Sequence, residues 1–179
     1  MKELLMIIPL VILLCFTFGC QDKEAMAELE EFKAQADIEA QNKEIVHRFL
    51  EEVWNQGKLD AVDDIVTNDI IIHVAGRDIK GIENFKKFIL GYRNAFPDIK
   101  FTIEELIAQG DKVAERFTVR GTHQGELQGI PPTGKQIKIT SIDIARYVDG
   151  KMVERWGQPD FLGMMMQLGM ELKPKEEEK

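Results

Sequence analysis

Apolar residues recur at helical spacing through the first half of the chain and alternate with polar ones through the second half. After an uncharged, mostly apolar run from Leu4 to Phe18, the stretch Gln21 to Gln41 is rich in Ala, Glu, Lys and Gln. Only Leu29, Phe32 and Ala36 form a thin stripe there, which predicts a solvated helix. From Asn42 the stripe thickens: Ile45, Val46, Phe49, Leu50 and Val53 mark a core-facing helix. Asn55-Gln56-Gly57 stops it, with Gly57 as the residue past its end. Leu59 to Val66 predicts a short second helix, with Asp60 suiting the positive end of its dipole. Ile82, Phe85, Ile89, Tyr92 and Phe96 then recur every three or four residues, a third amphipathic helix ended by Pro97.

Strands dominate the remainder. Asp69 to Val74 is β-branched, with Ile71 and His73 on one face, which is expected to be the concave one. Gly76 and Gly81 bracket a brief strand or turn. Ile99 to Ile107 and Lys112 to His123 predict two long strands turning at Gln109-Gly110-Asp111. Ile130-Pro131-Pro132-Thr133-Gly134 must be a loop, because proline has no N–H to give to a ladder. The next strand places Ile137, Ile139, Ser141, Asp143, Ala145 and Tyr147 on one face. Its hairpin turns at Val148-Asp149-Gly150. A two-residue loop would pair Asp143 with Trp156, whereas a three-residue loop with Gly150 in a bulge pairs Asp143 with Arg155 and Ser141 with Gly157. The second register is expected, because it sets opposite charges side by side. Asp160 is a suitable N-cap for a closing helix from Phe161 to Gly169.

Three segments recur in order: EVWNQGKLDAVDDIV before the His73 strand, the GIENFKKFI helix, and the stretch from Gly121-Thr122-His123-Gln124-Gly125 through IPPTGKQIKITSIDIARYVDGKMVERWGQPDFLG. Together, over about Glu39 to Gly169, they resemble the SnoaL-like polyketide and ester cyclases, which share the nuclear-transport-factor-2-like fold. The resemblance implies an α+β domain at residues 42–170: a curved antiparallel sheet forming a cone, with three N-terminal helices packed in its concavity. It also implies a ligand pocket inside the cone, with polar positions at Ser141, Asp143 and Gly157. Gly157 stands where the cyclases carry an acid/base aspartate. Two functions follow. One is a cofactor-free cyclase, lyase or isomerase acting on a small apolar carbonyl compound. The other is a membrane-tethered binding module that keeps the pocket without the chemistry. An Asp/Arg pair on a pocket face is also similar to limonene-epoxide hydrolases, whose second aspartate has no counterpart here.

Asp143 and Ser141 interrupt an apolar face, and a carboxylate there needs a partner. Arg155 is the expected one, holding Asp143 ionised as a base; a purely structural ion pair is the other reading. His73 is the second candidate for proton exchange, with a satisfied core histidine as the other reading. Ser141, Arg155, His123, Trp54 and Tyr92 are the expected ligand contacts, although His123, flanked by glycines, also reads as a brace for a bent strand end. Trp156 reads as core first and pocket wall second. Met164, Met165, Met166 and Met170 read as core filler or a homodimer contact, or else as a pliable lid.

Charge and cysteine content narrow the partners. A formal charge of −8 without a basic stripe argues against nucleic acid. No cofactor is expected, since the chain has no Gly-rich phosphate loop, CxxC or GxSxG. No metal is expected either, since His73, His123 and Asp143 show no ligand spacing. Lys2, the apolar run and Gly19-Cys20 resemble a bacterial lipoprotein signal over residues 1–20, with lipid on Cys20; an uncleaved anchor or an ordinary cleavage nearby is the other reading. The resulting layout is a signal, a charged helical spacer at 21–41, the cone domain, and a charged tail at 171–179. Localisation would be the cell envelope, and with Gln21 rather than Asp after the cysteine, the resemblance to Gram-negative lipoproteins implies the outer membrane.

Overall fold

The computed structural model describes the backbone of residues 2–171 and the side chains from residue 23 onward. The side chains of the expected signal and all residues after Glu171 lie outside the described residues. The chain forms two compact units, Met1–Ile38 and Glu39–Lys179. In the first, every described side chain from Lys23 to Ile38 is exposed, Leu29 and Phe32 included. Among the described residues no helix is long and apolar enough to cross a membrane.

The second unit begins inside helix α1 (Lys2–Arg48). Its first anchors are Glu39, whose carboxylate accepts the Gly110 N–H at 2.8 Å, and Asn42, which donates to the Gly110 carbonyl at 3.3 Å. From Phe49 to Asn55 the helix widens to π geometry. Residues five apart point about 140° away from each other in an α-helix, whereas the wider turn stacks them. Phe49 and Trp54 accordingly meet edge to face at 6.5 Å. The apolar stripe alone predicts a regular helix and conceals this change. Gly57 then takes a left-handed φ of 76°, as expected of the residue that ends it.

Helix α2 (Ala61–Ile65) and α3 (Ile82–Ala95) flank a hairpin of β1 (Val66–Val74) and β2 (Arg77–Lys80). Four longer strands follow: β3 (Lys100–Gln109), β4 (Lys112–Thr122), β5 (Gln136–Val148) and β6 (Lys151–Pro159). Helix α4 (Phe161–Leu168) closes the unit, and Asp160 caps it by accepting the Gly163 N–H at 2.8 Å. The six strands form one open, curved sheet in the order β2-β1-β6-β5-β4-β3. Every neighbouring pair is antiparallel except β1 and β6, which run parallel. The core lies between the concave face and the helices, where Val53, Val62, Ile70, Ile89, Phe96 and Val113 are completely buried.

The β5–β6 hairpin corrects the expected register. Its turn has two residues, Asp149 and Gly150, both with positive φ, the geometry that matches the twist of the flanking strands. A bulge then falls between Arg146 and Tyr147 in the ladder, leaving Val153 as the extra residue on β6. Asp143 therefore faces Gly157, Ala145 faces Arg155 and Ser141 faces Pro159. The expected three-residue loop and the observed turn plus bulge differ by two positions. Side chains alternate with a period of two, so Arg155 and Gly157 occupy the same face as Asp143 in either register. Trp156 goes to the other face.

Candidate active site

The concave face of β4, β5 and β6 carries a polar cluster at the wall of an otherwise apolar pocket. Aromatic rings come from several surrounding elements: Phe49 and Trp54 from the π stretch, Phe88 and Tyr92 from α3, Phe101 from β3, and Phe161 from the closing helix. Trp54 and Phe101 lie 4.7 Å apart between centroids, and Phe88 and Tyr92 lie 4.9 Å apart. The cavity they leave measures about 90 Å³. Ser141, Asp143 and Arg155 are the buried polar and charged residues on its wall.

Arg155 organises that wall. Its Nε donates to Asp143 Oδ2 at 3.0 Å, and its Nη1 donates to Glu115 Oε1 at 2.6 Å. Neither bond uses Nη2. The Ser141 hydroxyl donates to the other Asp143 oxygen, Oδ1. Glu115 sits on β4 and Arg155 on β6, so the guanidinium reaches across β5; Ala145, opposite Arg155, leaves room for it. The rings of Phe49 and Phe117 lie 5.3 and 5.9 Å from the guanidinium carbon, within cation–π range. Two carboxylates thus share one buried cation. Glu115 Oε2 and the Tyr147 hydroxyl are buried without a hydrogen-bond partner among the described residues.

Burial, reinforced by the like charge of Asp143 and opposed by Arg155, pushes Glu115 up to about 7 from 4.5. Burial also raises Tyr147. A raised carboxyl binds its proton more tightly in the folded chain, so stability is lost as pH rises from about 4.5 to about 7. The loss from this group is on the order of 3 kcal/mol. His73 adds a loss of the same sign as pH passes its raised folded value. Glu115→Gln mimics the neutral carboxyl and should flatten most of the decline, read as urea midpoints at pH 5, 6, 7 and 8. An unchanged slope in that variant would remove Glu115 as its source.

His73 does not enter the pocket, contrary to expectation. Ile72 pairs with Arg155 and Val74 with Gly157, so it is Ile70, Ile72 and Val74 that face the concavity. His73 lies on the outer face, stacked on Trp156 at 5.6 Å. Its ring nitrogens contact Asp78 at 2.8 Å and Glu154 at 3.0 Å, and these carboxylates raise its pKa. Trp156 is therefore no pocket wall. His123 is fully buried but absent from the pocket lining: its Nδ1 accepts the Thr133 N–H at 3.3 Å, and its ring packs on Phe96 at 5.2 Å. It ties the end of β4 to Thr133, outside the pocket where a ligand contact was expected. Trp54, Tyr92, Ser141, Asp143 and Arg155 all line the pocket. Among the described residues no group of three His, Cys, Asp or Glu side chains is placed to hold a metal.

Glu115 is the residue that sequence reasoning missed. The signal was present, because Val113, Glu115, Phe117 and Val119 alternate on the buried face of β4 as Ser141 and Asp143 do on β5.

The missing side chain at position 157 completes the geometry. A Cβ there would lie 2.8 Å from Asp143 Oδ2, so the Asp143 carboxylate occupies the space over Gly157. Comparison with known proteins accords with this arrangement of helices and sheet. The chain is 30% identical over 131 residues to aklanonic acid methyl ester cyclase DauD of Streptomyces sp. strain C5, covering 70% of this chain and 80% of that one. It is 30% identical over 130 residues to aklanonic acid methyl ester cyclase DnrD of Streptomyces peucetius, covering 70% and 89%. The crystal structure of a SnoaL-like protein from Jannaschia sp. CCS1 superposes with a TM-score of 0.70 at 25% identity, covering 75% of this chain and 96% of that one. The model of the SnoaL-like polyketide cyclases matches residues 44–168, from the last turn of α1 to the end of α4, and the chain belongs to that family.

Proposed function

We propose that this protein is a cofactor-free cyclase-type enzyme acting on a small carbonyl compound, with Asp143 as its base, and that it is tethered to a membrane through Cys20. The carrying observation is the Asp143–Arg155 pair on the wall of an apolar pocket, with the Asp143 carboxylate over Gly157. Relatives named for methyl ester cyclisation support the reaction class. In the proposed step Asp143 takes a proton from the carbon beside a carbonyl, and the bonding pair moves into an enolate. Arg155 stabilises the enolate oxygen from the same wall. The enolate carbon attacks a second carbonyl of the same molecule, the ring closes, and Asp143 returns its proton to the resulting alkoxide. Ser141 orients the carboxylate throughout. Each carboxylate oxygen keeps acceptor capacity beyond the one bond it already accepts.

The test is exchange of α-hydrogens for deuterium in a short acyclic β-keto ester, followed by proton NMR in D₂O. Exchange well above the buffer rate is expected. Saturable binding with no exchange above buffer would favour the second reading, a binding module that lost its catalyst at Gly157.

The tether rests on Gly19-Cys20 closing the apolar run. Cys20→Ser should shift the protein out of the membrane fraction or leave its precursor uncleaved. Processed, membrane-bound Cys20→Ser protein would overturn the anchor.

A further inference from the structure

The apolar pocket has a polar neighbour. A groove of about 490 Å³ adjoins it, lined by Arg77, Asp78, Lys87, Glu126 and Gln128, and the two share Phe88 and Tyr92 as a common wall. An engineered apolar cavity of roughly 150 Å³ is enough for benzene, so an inner chamber of about 90 Å³ takes little more than a carbonyl and its neighbouring carbons. The rest of any larger substrate must lie outside, and the groove is the space next to it.

The charges in the groove are unequal in their commitments. Asp78 is held by the His73 ring at 2.8 Å and lies 3.9 Å from the Lys80 ammonium. Arg77 and Lys87 make no ion pair among the described residues. Arg77 stands at the junction, its guanidinium carbon 5.9 Å from the Phe88 ring centroid, and its charge reaches the Tyr92 hydroxyl. Gln128 donates to that hydroxyl, with Nε2 at 3.4 Å. Glu126 opposes the two cations from the groove wall.

We infer that the substrate is bipartite, an apolar carbonyl head in the inner chamber and a carboxylate-bearing tail in the outer groove, recognised by Arg77 and Lys87. This rests on the carbonyl-pocket reading above and extends it to a second subsite. An anion there gains two uncommitted cations and meets one uncommitted carboxylate. The side chains are exposed, so the attraction is modest and screened by salt.

Binding can be read without turnover. Trp54 lines the pocket and Trp156 lies on the outer face, so Trp156→Phe leaves a single pocket reporter in a chain with two tryptophans. In that background, quenching of Trp54 is titrated with levulinate, with its longer homologue acetylbutyrate, and with the methyl ester of each. The longer acid is expected to bind about fivefold tighter than its ester, as one exposed ion pair allows. Arg77→Gln should abolish that preference, Glu126→Gln should strengthen it, and half-molar salt should reduce it. Equal affinity of acid and ester, or a preference unmoved by Arg77→Gln, would overturn the outer subsite and leave the carbonyl pocket standing. Absence of saturable quenching by acids and esters alike would overturn both.

Discussion

Arg155→Met is expected to destabilise the cone domain by about 3 to 5 kcal/mol, the loss typical when one partner of a buried charge network is removed. Its side chain is 6% exposed and its partners Glu115 and Asp143 are 0% and 9% exposed. Without the guanidinium, two carboxylates on neighbouring strands would face each other with no counter-charge. Shape contributes less, because methionine can still pack between Phe49 and Phe117. A domain of this size has about 5 to 15 kcal/mol to lose, so the variant should sit near its unfolding threshold. The triple variant Glu115→Gln, Asp143→Asn, Arg155→Met removes all three charges and should recover most of the deficit. Urea denaturation of the single and triple variants measures both effects. A loss below about 1 kcal/mol in Arg155→Met would mean that the two carboxyls do not depend on their shared cation.

Asp143→Asn carries the largest expected effect on chemistry. The amide keeps the size of the side chain, its single oxygen can still accept from Arg155 and its NH2 can donate to the Ser141 hydroxyl, but it cannot take a proton. Deuterium exchange should fall by roughly 10² to 10⁴, the range for a lost acid–base group, while quenching of Trp54 by the ligand changes little. Ground-state binding rests mainly on the aromatic walls, which the substitution does not touch. Gly157 gives a second handle on the same question. Gly157→Asp alone would drive a Cβ to 2.8 Å from Asp143 Oδ2 and add a third carboxylate to one guanidinium. Combined with Asp143→Ser, it moves the carboxylate across the ladder instead, and part of the exchange should return. Exchange in Asp143→Asn equal to wild type would end the assignment of Asp143 as base.

The outcome at individual residues shows how far a linear pattern reaches. Alternation along β5 placed Ser141 and Asp143 on the concave face, because the period of two leaves no other choice once the apolar side is known. Arg155 was legible as their partner even through a wrong turn, since an error of two positions preserves the face. The same rule misplaced His73. Ile70, Ile71, Ile72 and Val74 offer an apolar residue on both faces of β1, and the choice between them was made by the parallel pairing of β1 with β6. That pairing joins segments some eighty residues apart, so no local window contains it. Glu115 was visible by the criterion that flagged Asp143, but its meaning depended on Arg155 crossing β5, a contact between non-adjacent strands.

What the sequence determined by itself was the set of local choices. Helical and alternating stripes, the Asp160 cap, the left-handed positions at Gly57 and Gly150, and the faces of β4 and β5 follow from backbone geometry and side-chain type over a few residues. Tertiary structure decided everything that depends on closure. It made the π turn that brings Phe49 against Trp54, turned His73 outward, and brought Glu115 and Asp143 to one guanidinium. It also packed aromatic rings from helices and sheet until only a small chamber remained. The division has one physical cause: local conformation depends on neighbours along the chain, whereas a shared charge and a cavity volume depend on how distant elements pack.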